Sequence, residues 1–238
     1  MQLDISILQY LIQFHDRWPK VDSAILFLTN SDLLRGGVVM CLFWWIFFAK
    51  EKLPVQEASK RAKLVAAFPA SLLAVTFARL LANFLPFRTR PLFSPDFHIN
   101  WSKLDSASYE IWSSFPSDHA ALFVALAVVM FIVSRRVGGF TLLYVFVMIC
   151  APRVYLGIHW FSDVVAGALI GALFGFLVEI QSATNYVWRW TTRWAGLAPG
   201  SLAAAAIFLT VSIWTIFGDT RGIARAVWAL LQNGHGIT

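Results

Sequence analysis

Charged residues are scarce in this chain. Only 13% of its 238 residues carry a charged side chain, whereas 58% are hydrophobic, and a soluble domain usually has about a quarter charged residues. This composition excludes an ordinary soluble enzyme and predicts one integral membrane domain over residues 1–238. We therefore expect an all-α fold, a polytopic transmembrane helical bundle.

Cysteine is equally scarce. The two residues, Cys41 and Cys150, lie inside apolar runs, which excludes a disulfide framework and predicts buried free thiols that pack as small hydrophobic groups. The sequence also lacks a histidine and cysteine cluster with metal-ligand spacing, so we expect no metal and no other cofactor. No basic stretch precedes a hydrophobic core around Asp4 and Asp16, which argues against a cleavable signal peptide.

The lack of a Lys- and Arg-rich arm argues against nucleic acid as a partner. The formal net charge is nevertheless +6, and in a membrane protein such an excess usually lies in cytoplasmic loops or meets anionic lipid. Nine basic residues fall on one side of the predicted bundle, which we expect to be cytoplasmic: Lys50, Lys52, Lys60, Arg61, Lys63, Arg135, Arg136, Arg189 and Arg193. The loop 88–118 and the turn 152–162 then face outward.

Long apolar runs predict five or six spanning helices, at residues 33–48, 64–87, 119–134, 139–151, 163–178 and 202–217. Several are at or below the ~17–25 residues that a span needs, so their ends should include neighbouring polar residues. Shorter apolar stretches at 5–14, 24–29 and 223–231 predict helices in the membrane interface. Gly167, Gly171 and Gly175 recur at every fourth residue, which favours close helix packing rather than chemistry.

Polar motifs stand at the ends of four of these runs. Arg90 and Pro91 follow the second run, Pro116-Ser117-Asp118-His119 opens the third, and Arg153-x5-His159-x3-Asp163 joins the fourth to the fifth. With hairpin connectivity these ends all fall on one face of the membrane. We therefore expect the three motifs to meet in one pocket.

His159 and Asp163 are one helical turn apart and share a helix face. An aspartate so placed can accept a hydrogen bond from one imidazole nitrogen and leave the other free as a nucleophile. The alternative is a pair at a helix start, with Asp163 near the positive end of the helix dipole. A metal pair is disfavoured because these residues supply only two ligands.

The remaining motif residues suit the binding of an anion. Ser117 is a good N-cap, and a helix N-terminus is a ready anion site, which would leave His119 as a general acid. The alternative is a plain capping motif with an exposed histidine. Arg90 and Arg153 offer planar, charged groups that match phosphate oxygens. The alternative for Arg90 is a positively charged anchor in the membrane interface. Arg79, inside the second run, indicates either an ion pair or a substrate contact.

These residues resemble the type 2 phosphatidic acid phosphatases, a family related to the vanadium haloperoxidases. Its pattern reads Lys-x6-Arg-Pro, Pro-Ser-Gly-His and Ser-Arg-x5-His-x3-Asp. The chain matches this pattern over roughly residues 60–180, with three departures: Asn83 stands at the lysine position, Asp118 at the glycine position and Pro152 at the serine position. The resemblance implies a phosphatase core at 60–180, with residues 200–238 as an additional C-terminal helix and tail.

The resemblance also implies the site. His159 would form a phosphohistidine, Asp163 would orient it, and His119 would be the general acid. The phosphoryl group would be bound by Arg90, Arg153, Ser117 and the amide of Asp118, without a metal. Because Asn83 removes a positive charge, we expect Arg88 or Arg79 to serve as an accessory cation.

The function implied is that of a metal-independent membrane lipid phosphatase. The best match is a bacterial enzyme of the undecaprenyl pyrophosphatase type, in the cytoplasmic (inner) membrane with its site on the periplasmic face. Phosphatidic acid, phosphatidylglycerol phosphate and lipid A phosphates are the alternative substrates. A lipid phosphotransferase and a non-catalytic transporter or scaffold with the same fold also stay open, as does the oligomeric state.

Overall fold

A computed structural model of the chain describes residues 2–97, 99, 101 and 112–215. Within these residues the regular structure is helical, without strands, which confirms the predicted all-α membrane bundle. The main helices are α1 (Gln2–Ile12), α2 (Pro19–Asn30), α3 (Leu33–Phe48), α4 (Pro54–Phe84), α5 (Asp118–Val133), α6 (Arg135–Tyr155), α7 (Phe161–Glu179), α8 (Gln181–Leu197) and α9 (Pro199–Trp214).

Helix α5 forms the centre of the bundle. Every residue from Ala120 to Met130 is buried, as expected for a helix that is apolar on all sides. It packs against α4, α6 and α7, with its most extensive contact on α7. The residues that open α5 are therefore held between the ends of three other helices.

Three helices, α4, α6 and α7, are long and apolar enough to cross a membrane, and the pair α2 and α3, bent by 69°, could make a fourth span. The two shorter apolar helices are α5 and α9. This set corresponds to the six predicted runs. The predicted interfacial stretches 5–14 and 24–29 fall on α1 and α2, whereas 223–231 and residues 216–217 lie outside the described residues.

Some predicted boundaries were wrong. Helix α4 begins at Pro54 rather than at residue 64, because proline is favoured at the first helical position and an Arg61–Glu57 pair supports the charged first turns. Several basic residues assigned to a loop thus belong to the helix. Helix α8, with its aromatic and basic residues, was not predicted, and Cys41 is exposed rather than buried, whereas Cys150 is buried as expected.

The three glycines of α7 lie directly against the backbone of α5. A Cβ atom on Gly171 would stand 2.5 Å from the carbonyl oxygen of Ala121, and one on Gly175 would stand 2.8 Å from that of Ala125. A Cβ on Gly167 would collide with the carbonyl of Ser117. The glycine spacing therefore serves packing, as predicted, and it brings the starts of α5 and α7 together.

Candidate active site

The three sequence motifs meet at one end of the bundle. The amide of Ser117 donates to the carbonyl oxygen of Asp163 at 3.0 Å, and the amide of Ser114 donates to that of Arg88 at 2.9 Å. These bonds join the segment before α5 to the start of α7 and to the segment after α4. Most of the predicted site residues are buried here: Arg90, Ser117, Asp118, Arg153, His159 and Asp163.

The spacing between Arg153 and His159 is set by a tight turn. The carbonyl of Arg153 accepts from the amides of Ile158 (2.9 Å) and His159 (3.1 Å). Gly157 has a φ of +70°, a left-handed conformation that favours glycine, and a Cβ there would stand 2.8 Å from Cδ1 of Ile99. The turn folds the histidine back onto the end of α6, so that both motif residues reach the same site.

The hydrogen bonds of His159 define one tautomer. Its Nδ1 lies 2.8 Å from the carbonyl oxygen of Ser114, which can only accept, and its Nε2 lies 3.3 Å from Nη1 of Arg90, which can only donate. The proton is therefore assigned to Nδ1, and the lone pair to Nε2. A neutral imidazole in this state carries its lone pair on Nε2, the nitrogen that faces the buried guanidinium of Arg90. With that lone pair, Nε2 is able to act as a nucleophile.

Asp163 lies beside the imidazole of His159. Its Oδ2 is 3.6 Å from Nδ1 of His159 and accepts from the amide of Trp160 at 2.8 Å. The carbonyl oxygen of Ser114 is the nearer acceptor for Nδ1, at 2.8 Å. The predicted role of Asp163 as the residue that orients His159 stays a prediction.

The surroundings of His159 keep it neutral. Burial lowers the pKa of this imidazole to about 4; the nearby Asp163 carboxylate opposes that effect, whereas the charges of Arg90 and Arg153 add to it. A depressed pKa means that the imidazole binds a proton only in acid. At neutral pH it therefore keeps the lone pair that an attack on phosphorus needs.

Two arginines make the site electropositive. The guanidinium of Arg90 donates to the carbonyl oxygens of Ile158 (2.7 Å) and Ser113 (3.4 Å), and that of Arg153 donates to the carbonyl of Ile149 at 2.7 Å. Both side chains are buried, and the backbone oxygens fix their direction. Two oriented buried cations beside a neutral imidazole form a site suited to an anion.

Helix α5 begins at the same place. Ser117 is its N-cap, and its hydroxyl accepts from the amide of Ala120 at 3.5 Å. The first amides of a helix, here including that of Asp118, have no acceptor within the helix and favour negative charge. The half-buried His119 stands in this first turn, where its role as a general acid stays a prediction.

The accessory candidates differ in their contacts. Arg79 forms an ion pair with the carboxylate of Asp118, and its guanidinium lies 5.3 Å from the ring centroid of Trp112. Of the two alternatives that the sequence indicated for Arg79, an ion pair and a substrate contact, the structure shows the ion pair. Asn83 is exposed near the end of α4, one turn beyond Arg79.

Arg88 is engaged by two carboxylates. Its Nη1 donates to Oδ1 of Asp163 at 2.5 Å and its Nη2 donates to Oδ2 of Asp4 at 2.8 Å. The positive charge of Arg88 is therefore balanced by the carboxylates of Asp163 and Asp4, and its guanidinium is directed to them rather than to a phosphate. The predicted role of Arg88 as a stand-in for the lysine is not favoured by these contacts.

Sequence reasoning missed three residues of the site: Asp4, Ser114 and Ser162. The hydroxyl of Ser162 accepts from Nη1 of Arg88 at 2.8 Å and donates to Asp4 at 2.7 Å. Ser114 contributes through its backbone, which no side-chain pattern reveals. An isolated acid in the apolar segment 2–12 was a usable signal for Asp4. In the described part of the chain, no group of three or more His, Cys, Asp or Glu side chains is placed to hold a metal ion.

Comparison with known proteins places these residues in context. The model of the PAP2 superfamily matches residues 62–187, more than half of the chain. The bacitracin transport permease protein BcrC of Bacillus licheniformis is 27% identical over 177 residues, which are 74% of this chain and 79% of that protein. Lipid A 1-diphosphate synthase of Escherichia coli (strain K12) is 30% identical over 149 residues, 61% of this chain and 60% of that protein. The putative undecaprenyl-diphosphatase YbjG of the same strain is 25% identical over 173 residues, 72% of this chain and 78% of that protein. No solved structure matches the chain.

Proposed function

The chain belongs to the PAP2 superfamily, and we propose that it is an integral membrane phosphatase that hydrolyses a phosphomonoester or diphosphate lipid through a phosphohistidine. One observation carries this proposal: the buried imidazole of His159, with Nδ1 on the carbonyl of Ser114 and Nε2 facing Arg90. That geometry presents a lone pair and a cation to the same point, where a phosphorus atom and its oxygens would lie.

In the first step, Nε2 of His159 attacks phosphorus and the bond from phosphorus to the leaving oxygen breaks. His119 donates a proton to that oxygen, so the lipid product leaves as an alcohol or as a monophosphate. The proton stays on Nδ1 and is donated to the carbonyl oxygen of Ser114, which stabilises the positive charge that develops on the ring. Asp163, at 3.6 Å from Nδ1, stabilises the same charge.

In the second step, water attacks the phosphohistidine. His119, now unprotonated, takes a proton from the water as the P–N bond breaks, and inorganic phosphate leaves. The phosphoryl oxygens gain negative charge in both transition states. Arg90 and Arg153, the hydroxyl of Ser117 and the amide of Asp118 would neutralise this charge without a metal ion.

Undecaprenyl pyrophosphate, cleaved to undecaprenyl phosphate, is the substrate we favour. The name of YbjG, which is similar to this chain over most of its length, supports a diphosphate lipid. An apolar groove of about 570 Å³ beside the site also supports a lipid; its lining includes Pro152 and Val164, which flank the third motif, and Phe161, which lies within it. We place the protein in the bacterial cytoplasmic (inner) membrane, with the site on the periplasmic face, because the basic residues gather at the other end of the bundle.

Two further readings rest on particular relatives. Lipid A 1-diphosphate synthase is named for forming a diphosphate, which favours a lipid phosphotransferase, in which a substrate oxygen rather than water takes the phosphoryl group from His159. BcrC is named as a transport permease, which favours a transporter. The assembled site of His159, Arg90 and Arg153 favours catalysis over transport.

The test is phosphate release by the purified protein from a panel of lipid phosphates. We expect undecaprenyl pyrophosphate to give inorganic phosphate and the monophosphate, in excess EDTA as well as without it. The panel includes phosphatidic acid, phosphatidylglycerol phosphate and lipid A, with His159→Gln as the inactive control. Transfer of phosphate to an added lipid would identify a phosphotransferase. No release or transfer from any member would contradict the proposal, and loss in EDTA restored by Mg²⁺ would contradict its mechanism.

The orientation has its own test. In a background that lacks Cys41 and Cys150, a cysteine at Asp96 should react with an impermeant maleimide in intact cells. A cysteine at Gln56, in the first turn of α4, should react only after lysis. The reverse pattern would contradict a periplasmic site.

A further inference from the structure

Helix α1 lies outside the matched residues 62–187, yet it packs against the site. Leu8 is 2% exposed and belongs to a hydrophobic cluster with Ile99 and Trp160, the neighbour of His159. Asp4, one turn earlier, is 3% exposed. Burial of a carboxylate costs free energy unless its oxygens are hydrogen-bonded or ion-paired. The hydrogen-bond partners of Asp4 therefore indicate its role.

The partners of Asp4 are all parts of the site. Its Oδ1 accepts from the amide of Ser162 at 2.8 Å. Its Oδ2 accepts from the hydroxyl of Ser162 at 2.7 Å and from Nη2 of Arg88 at 2.8 Å. Burial raises the pKa of Asp4, but these donors outweigh it, so the pKa is lowered and the group is a carboxylate.

Arg88 links Asp4 to Asp163, the carboxylate beside His159. Its other nitrogen, Nη1, donates to Oδ1 of Asp163, and Asp163 stands 3.6 Å from the ring of His159. Asp4 thus holds both the residue before Asp163, through Ser162, and the cation that pairs with Asp163. Two routes from one carboxylate converge on the first turn of α7.

We propose that Asp4 is a positioning residue for the reaction at His159, and that helix α1 is a working part of the site. This inference rests on the proposed phosphatase function. Asp4 acts by sharing Arg88 with Asp163 and by anchoring the backbone of Ser162. Without its charge, Arg88 is drawn to Asp163 alone, and the first turn of α7 loses its link to α1.

The mechanism predicts a particular kinetic pattern. Asp4 does not touch the site of the phosphoryl group, so its loss should lower kcat and leave KM nearly unchanged. Misplacement of a catalytic group by about 1 Å can cost up to ~10²-fold in rate. We expect Asp4→Asn, which keeps the size of the side chain, to lower kcat by about 10- to 100-fold with KM within about twofold.

The experiment measures kcat and KM on full-length protein that elutes as a single folded species, with the lipid phosphate that wild type turns over. Gln9→Ala, at an exposed position of the same helix, should match wild type. Leu8→Ala loosens the packing of α1 without altering the carboxylate of Asp4. It should lower the melting temperature clearly, while its effect on kcat should be smaller than that of Asp4→Asn. A double-mutant cycle with Arg88→Met tests the route through Arg88: in that background the effect of Asp4→Asn should shrink to the part that its bonds to Ser162 carry, about threefold or less.

Three outcomes would overturn the proposal. One is a kcat for Asp4→Asn equal to that of wild type. Another is an equal loss of kcat in Asp4→Asn and Leu8→Ala, which would mean that only the docking of α1 matters. The third is a full, independent effect of Asp4→Asn when Arg88 is absent. A wild-type protein that turned over no lipid phosphate would contradict the proposed function itself. That result differs from the three outcomes above, each of which requires an active wild-type protein.

Discussion

The two ends of the helical bundle hold their charges in different ways. At the end that carries the motifs, Asp163 is paired with Arg88 and its side chain is 0% exposed. At the opposite end, Lys63 is paired with Glu179, and those side chains are 22% and 50% exposed. Both are ion pairs of similar length between distant parts of the chain.

The two ion pairs differ in what they contribute to the protein. An exposed pair gains little because water screens it, whereas a buried carboxylate has lost its water and depends on its partner. Such desolvated pairs are weak evidence for stability as a whole, but they impose a direction on the groups that they join. At the motif end that group is the first turn of α7, which directly follows the turn that carries His159.

The largest effect should come from the histidines of the motif end. His159→Gln removes the nucleophile and should abolish turnover. His119→Ala should cost about 10²- to 10⁴-fold in kcat, the usual contribution of a general acid. Phosphate release from the favoured lipid measures both. Near-normal turnover by His159→Gln would contradict covalent catalysis at this residue.

The two ion pairs give a direct contrast between the ends. Arg88→Met leaves the buried carboxylate of Asp163 without its cation and should destabilise the protein by about 3–5 kcal/mol, with a loss of kcat. Lys63→Met should cost less than about 1 kcal/mol and leave kcat unchanged. Unfolding in detergent, followed together with activity, measures both. Equal effects of the two substitutions would remove the distinction drawn here.

The glycines of α7 extend from one end to the other and can sharpen the comparison. Gly167→Ala forces α7 away from the carbonyl of Ser117, so it should lower both stability and kcat. Gly175→Ala, near the opposite end, should lower stability alone, by about 1–3 kcal/mol, as overpacking does. Gly200→Ala is the control, because a Cβ there meets nothing within 4 Å. A loss of kcat from Gly175→Ala equal to that from Gly167→Ala would show that the ends are not separable.

The smallest expected effect concerns the positive charge that is absent because Asn83 stands at the lysine position of the family pattern. We expect Arg79→Ala to lower kcat/KM several-fold, since it leaves the buried Asp118 beside His119 unpaired. Asn83→Lys should restore part of that loss, because it returns a cation one helical turn away. The double variant is compared with each single variant in the lipid phosphate assay. If Arg79→Ala keeps full activity, Arg79 compensates for nothing and its role is confined to the ion pair.

The sequence indicated much of this organisation. Apolar runs predicted the helical membrane bundle, and the motif spacing placed Arg90, Arg153 and His159 at neighbouring ends because hairpins alternate faces. The spacing of Gly167, Gly171 and Gly175 predicted where α7 approaches α5. Each of these is a local pattern or a simple consequence of connectivity.

Other features could not be read from local pattern. Ser114 acts through a carbonyl oxygen, whose position depends on the fold and not on the side chain. The link from Asp4 to Arg88 joins residues 84 positions apart. Helix α8 was not predicted because its Arg189 and Arg193 were interpreted only as basic residues of the cytoplasmic side. The contacts of Arg88 could not be predicted either, because its partner Asp4 lies outside the motifs.

The proposed reaction depends on Nε2 of His159 acting as the nucleophile at the buried motif end. The most direct test supplies wild-type protein with a lipid diphosphate carrying ³²P at its terminal phosphorus, followed by a rapid alkaline quench. We expect a phosphoprotein that is stable in alkali and labile in acid, with the label located at His159 by mass spectrometry of its peptides. The label should be absent from His159→Gln, and it should accumulate in His119→Ala because hydrolysis of the intermediate is slowed. Label on another residue, or rapid turnover with no labelled protein at any quench time, would contradict this mechanism.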